Sequence, residues 1–215
     1  MTTNPPVLDQ VIAFGVVPVI RTSTAALALT AVEWLHEAGF RTFEITLTIP
    51  GAAGVLRELS READLLIGAG TAMSYGDVVS VTEAGARYVV APCVVPDVGK
   101  ACKDTGVVCM MGALSPTEVF EARQAGAHLV KIFPASTVGP GHLKALRSVF
   151  PDVLFMPTGG VDAKTLPDWI KAGASCVGVG GKLVDESLIK AGDKAAIIET
   201  GRALLEAYAA LKPHG

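Results

Sequence analysis

Short runs of apolar residues alternate along the whole chain with longer stretches patterned as helices. The alternation is carried by a recurring phrase: a helical pattern, a small residue and glycine, then four to six mostly apolar residues ending in a turn. Clear copies are EAGFRTFEITL from Glu37, EAGARYVVAP from Glu83, DTGVVCMMG from Asp104, QAGAHLVKIFP from Gln124 and KAGASCVGVGG from Lys171. Their glycines, Gly39, Gly85, Gly106, Gly126 and Gly173, lie 46, 21, 20 and 47 positions apart, close to one or two units of a common period. LLIGAGT from Leu65 and VLFMPTGG from Val153 fill the gaps, and VVPVIR from Val16 opens the series. Eight strands are predicted.

A glycine at the end of each helical pattern takes the left-handed conformation that β-carbons disfavour, and the β-branched residues after it suit a strand. Strands alternating with helices imply parallel pairing with right-handed crossovers. Eight such units is the number at which the sheet closes, so the predicted fold is a single (β/α)8 TIM barrel over residues 1–215. The competing fold is an open doubly wound sheet. Its candidate dinucleotide glycines, GAGT and GVGG, lack the full GxGxxG pattern with an acidic residue about 20 positions on.

In a barrel, alternate strand residues point inward and the C-terminal strand ends carry the active site. That period sends Phe43, Ile45 and Leu47 outward and Glu44, Thr46 and Thr48 inward. The same register places Leu129, Lys131 and Phe133 inside on the sixth strand, Val17, Val19 and Arg21 on the first, and Ile67, Ala69 and Thr71 on the third. Polar side chains from four strands converge on one end.

Composition removes other classes. Eighteen Lys and Arg against twenty-one Asp and Glu leave a net charge of −3, which gives no polyanion-coating surface and argues against nucleic-acid binding. The longest apolar stretch, Val11 to Ile20, is broken by Gly15 and Pro18 and is half the length a membrane span needs. MTTNPPVLDQ lacks a basic region ahead of an apolar segment, so no signal peptide is expected and a cytoplasmic location is the default. Cys93, Cys102, Cys109 and Cys176 have no CxxC or CxxH spacing and are expected to be reduced. His36, His128, His142 and His214 are too scattered for a metal cluster, so no metal and no cofactor are expected.

Lys131, flanked by Leu129, Val130, Ile132, Phe133 and Pro134, sits where desolvation favours a neutral, nucleophilic amine, although a lone strand-end lysine more often snorkels to water. Glu44 is either its buried ion-pair partner, or that of Arg21, or a proton-transfer group, and the roles are compatible. Arg21 at a barrel mouth suits a carboxylate or phosphate. For Thr46 and Thr48 plain β-propensity suffices, whereas Thr71 follows Gly-Ala-Gly, where a ligand approaches the backbone. Thr158-Gly159-Gly160 and Gly178-Val179-Gly180-Gly181 close the seventh and eighth strands, where barrels bind phosphate through backbone N–H groups. Asp162 is expected to cap a helix beginning near Ala163.

The segments VPVIR, GFRTFEITLTIPGA, IGAGT, LVKIFPASTVGPGHLKALRSVFP and MPTGGV, spread from about Val11 to Tyr208, resemble the bacterial 2-keto-3-deoxy-6-phosphogluconate (KDPG)/4-hydroxy-2-oxoglutarate aldolases. The resemblance implies a metal-free class I aldolase that forms pyruvate from a small 2-keto acid, usually as a homotrimer. It makes Lys131 the Schiff-base lysine and Glu44 the general acid/base. It assigns the carboxylate to Thr71 and Arg21, the pocket lining to Phe133 and Pro92, and the distal phosphate to Gly159, Gly160, Gly180 and Gly181; Thr158, at the end of the seventh strand, is a further candidate for substrate binding. Some members carry the carboxylate-binding arginine at the position of Thr48, whereas here, as in another branch, it is Arg21. A serine often stands at the Gly181 position as a phosphate ligand; its absence removes a donor for which Lys182 is a candidate replacement. KIFPASTVGPGHLKAL is also similar to the galactonate-epimer enzyme. Aldolases for that epimer or for unphosphorylated 2-keto-3-deoxy acids, and a non-covalent sugar-phosphate binding or isomerase barrel, are the alternatives.

Overall fold

Each of the eight predicted runs is a strand in the computed structural model, which describes residues 4–211. The strands are β1 (Val16–Ile20), β2 (Thr42–Thr46), β3 (Leu66–Gly70), β4 (Tyr88–Ala91), β5 (Val108–Ala113), β6 (Leu129–Ile132), β7 (Phe155–Pro157) and β8 (Val177–Val179). Helix α1 (Pro6–Phe14) precedes them. Helices α2 (Ala25–Ala38), α3 (Ala52–Leu59), α4 (Tyr75–Glu83), α5 (Pro96–Thr105), α6 (Pro116–Gln124), α7 (Pro140–Val149) and α8 (Leu166–Lys171) connect successive strands, and α9 (Glu186–Ala191) and α10 (Lys194–Ala209) follow β8.

All pairings are parallel and run in sequence order from β1 to β7, while β8 returns to β1. A bridge between Thr158 and Gly178 closes the seam between β7 and β8. The fold is therefore the TIM barrel, not the open sheet, in which strand order would reverse at a switch point. All five phrase glycines have positive φ, from 71° at Gly106 to 119° at Gly39, as a left-handed helix terminator requires.

Two apolar clusters share the strands. Outward residues such as Phe43, Ile45 and Val89 pack under the helices. Inward residues, Val17, Tyr88, Met110, Leu129 and Met156 among them, pack with Leu8 and Val11 of α1. That helix thus seals the N-terminal end of the barrel and leaves the chemistry to the other end. Helix α10 packs against both α8 and α2 and completes the outer ring. No helix among the described residues is long and apolar enough to cross a membrane.

The expected register fails on β3. Ile67 and Ala69 face the helices, and Leu66 joins the interior cluster. The inward positions are Gly68 and Gly70, where an added β-carbon would overlap the Tyr88 ring and the Glu44 carboxylate respectively. With no side chain at two inward positions, the bulky residues of the strand mark its outer face.

Candidate active site

Glu44 on β2 and Lys131 on β6 rise from opposite walls of the barrel and meet inside it. Nζ of Lys131 lies 3.2 Å from Oε1 of Glu44 and 3.5 Å from Oε2. The residues are 5% and 0% exposed, so this is a desolvated ion pair, which is costly unless both charges are matched. Lys131 Nζ also lies 5.3 Å from the centre of the Phe133 ring, which forms an apolar lip at the mouth. Beneath the pair, Tyr88 is fully buried with its hydroxyl 3.1 Å from Thr42 Oγ1. Burial holds that phenol above its ordinary range, so it serves as a neutral floor.

A second cluster stands at the rim. Arg21, just past β1, donates from one terminal nitrogen to Thr48 Oγ1 at 3.3 Å and from the other to Thr71 Oγ1 at 3.2 Å. Thr71 has φ of 64°, the only positive φ of a non-glycine residue among those described. For a β-branched side chain that is a strained conformation of the kind found at functional sites. The turn explains why Thr71 faces the site although Ala69 does not.

The two glycine loops lie side by side at the closed seam. Thr158 is buried, and Gly178 opposite it has no side chain because a β-carbon there would strike the Thr158 hydroxyl. Gly159 and Gly160 have φ of 104° and 74°, and a β-carbon on Gly160 would come within 2.9 Å of the Ser136 β-carbon. Gly180 and Gly181 are outside the left-handed region, and Gly181 has open space around it. Pro92, half-buried at the end of β4, presses its carbonyl against Gly112. The structure therefore brings every predicted site residue to the C-terminal end of the barrel.

Two local expectations change. Asp162 accepts from the backbone N–H groups of Lys164 and Thr165, and so caps a turn ahead of α8 instead of a helix at Ala163. Lys182 is committed to Asp162, joining the two glycine loops, and this pairing holds the Asp162 carboxyl down to about 2. No group of three or more His, Cys, Asp or Glu able to hold a metal ion occurs among the described residues, and His214 lies outside them.

Sequence reasoning missed Glu186. Its carboxylate accepts from the Ser23 backbone N–H at 2.7 Å and from the Ser23 hydroxyl at 2.6 Å, pinning the loop that follows Arg21. Lys190 and Ser23 hold the Glu186 carboxyl down to about 2. The partners are 163 residues apart, and no local pattern marks them.

The family model "KDPG and KHG aldolase" matches residues 8–200. The 2-dehydro-3-deoxy-phosphogluconate aldolase of Pseudomonas aeruginosa is 33% identical over 202 residues, covering 93% of this chain and 91% of the relative. The 2-dehydro-3-deoxy-6-phosphogalactonate aldolase of Escherichia coli is 33% identical over 172 residues, covering 78% of this chain and 83% of the relative. A solved KDPG aldolase from Legionella pneumophila, with pyruvate captured at low pH as a covalent carbinolamine intermediate, is 34% identical with a TM-score of 0.83, covering 90% of this chain and 96% of that one. With its barrel, its buried carboxylate and amine, and a family match across most of its length, the chain belongs to the KDPG and KHG aldolase family.

Proposed function

We propose that this chain is a class I aldolase that cleaves 2-keto-3-deoxy-6-phosphogluconate to pyruvate and glyceraldehyde 3-phosphate, and 4-hydroxy-2-oxoglutarate to pyruvate and glyoxylate. The observation that carries the reading is the contact of Lys131 with Glu44 inside the open end of the barrel. Glu44 takes a proton from the Lys131 ammonium, the freed amine adds to the C2 ketone, and Glu44 returns the proton to the departing hydroxyl, so that water leaves and a protonated imine remains. Glu44 takes the proton of the C4 hydroxyl as the C3–C4 bond breaks. The bonding pair flows to the imine nitrogen, giving an enamine and the free aldehyde. Protonation at C3 and hydrolysis then release pyruvate and restore the lysine.

In this reading Arg21 and Thr71 hold the C1 carboxylate while Phe133, Pro92 and Thr158 line the pocket. Backbone groups at Gly159, Gly160, Gly180 and Gly181 hold the distal phosphate. The protein acts as a cytoplasmic homotrimer. The KIFPASTVGPGHLKAL stretch, similar to the galactonate-epimer enzyme, supports the C4-epimeric galactonate substrate as the second reading. Kinetics with both C4 configurations, phosphorylated and not, decide between them.

Incubation with pyruvate and borohydride is expected to leave a reduced three-carbon adduct on Lys131, and EDTA is expected not to inhibit. Labelling elsewhere, or none, sinks the covalent mechanism in favour of a binding or isomerase barrel. The open space at Gly181 permits a gain-of-function test. Gly181→Ser restores the hydroxyl that relatives often use, and a hydrogen bond to a charged group is expected to raise kcat/KM for the phosphorylated substrate roughly tenfold. The value for 4-hydroxy-2-oxoglutarate is expected to stay level, and an equal rise for both would place the phosphate elsewhere.

A further inference from the structure

We propose that Thr46 and Thr48 are positioning residues that aim the Arg21 guanidinium at the substrate carboxylate through a hydrogen-bond chain of fixed direction. The proposal rests on the aldolase reading above, in which Arg21 and Thr71 hold that carboxylate. The direction follows from counting protons. Thr46 is fully buried, and its Oγ1 stands 2.9 Å from the carbonyl oxygen of Ile20, which can only accept. The single hydroxyl proton of Thr46 is thereby spent. Thr46 Oγ1 also lies 2.9 Å from Thr48 Oγ1, so in that contact Thr48 must donate. With its own proton spent in turn, Thr48 meets Arg21 as an acceptor, at 3.3 Å.

Thr71 differs. It accepts from the other terminal nitrogen of Arg21 and has no second partner among the described residues, so its proton remains available for an anion. The guanidinium is thus forked between two acceptors. One is locked by strand β2 and the other is ready to co-donate with the arginine's remaining N–H groups. Glu44 and Thr46 share the inward face of β2, and Thr48, in the turn just beyond it, is tied to that face by its hydrogen bond to Thr46. The strand that carries the acid/base therefore also anchors the carboxylate clamp, through Thr46.

The test uses the full-length protein and the pyruvate concentration that half-saturates borohydride trapping at Lys131, with methyl pyruvate as the uncharged comparator. Thr46→Val removes the relay's anchor at nearly constant volume and is expected to raise half-saturation by pyruvate roughly tenfold, the scale of a weakened charge-assisted hydrogen bond. Half-saturation by methyl pyruvate is expected to stay level, and Thr46→Ser to recover wild-type behaviour. Thr48→Val, at an exposed position beyond the strand, is expected to act like Thr46→Val and keeps the test decisive where the buried variant does not fold. An equal shift for both ketones, or a serine variant as impaired as the valine one, would overturn the relay in favour of general packing. Unchanged half-saturation in variants of a wild type that does trap would overturn the relay alone. A wild type that traps neither ketone would overturn the aldolase reading and the relay with it.

Discussion

Lys131→Met is expected to lose turnover by about 10⁴-fold or more, the scale on which removal of a covalent nucleophile registers, and to form no borohydride adduct. It is also expected to be less stable, for a reason separable from catalysis. Glu44 is wholly buried, and Lys131 is its sole hydrogen-bonding partner among the described residues. Removing one member of such a pair leaves an uncompensated group in the interior and costs about 3–5 kcal/mol. Replacing both members by apolar residues of similar volume is often neutral. The double variant Lys131→Met/Glu44→Leu is therefore expected to unfold at a higher temperature than Lys131→Met, while remaining inactive. Calorimetry of the wild type, Lys131→Met, Glu44→Leu and the double variant checks this. If the stability losses of the single variants simply add in the double, the two groups do not depend on each other and the ion pair is incidental.

That pair was legible in the sequence because both residues interrupt apolar strands at positions whose neighbours fix the inward face. Ile45 and Phe43 on one strand, and Val130 and Ile132 on the other, leave Glu44 and Lys131 one direction to point. The barrel was legible for a related reason, since each glycine that ends a helix is a local event with a local signature. Strand β3 defeated the same logic. Its interior face is made of glycines whose emptiness serves Tyr88 and Glu44 on the neighbouring strands, and a missing side chain carries no periodic signal. Thr46 and Thr48 were visible but ambiguous, because threonine suits a strand whether or not its hydroxyl has a task. Glu186 and Ser23 meet only through tertiary closure. Local terms therefore set the fold and the reacting pair, whereas the groups that support the pair answer to partners far away in sequence.

Glu44→Gln is expected to fold and to lower kcat by roughly 10² or more, the usual scale of general acid/base catalysis. Its amide keeps the shape of the carboxylate and can still face Lys131, but it cannot accept the C4 hydroxyl proton. Exchange of the pyruvate methyl protons with deuterated solvent reports the enamine step without the aldehyde, and it is expected to slow in parallel with cleavage. Gly70→Ala gives an independent probe that changes the chemistry of no catalytic side chain. The new β-carbon would overlap the Glu44 carboxylate, so the acid/base must swing away from Lys131. Because proton transfer needs heavy-atom distances of about 2.6–3.2 Å, a displacement of that kind is expected to cost nearly as much turnover as the glutamine substitution. Both variants must first show wild-type circular dichroism. If Gly70→Ala were slow while Glu44→Gln kept wild-type turnover, the space beside Gly70 would matter to the substrate and not to Glu44, and another group would carry the protons.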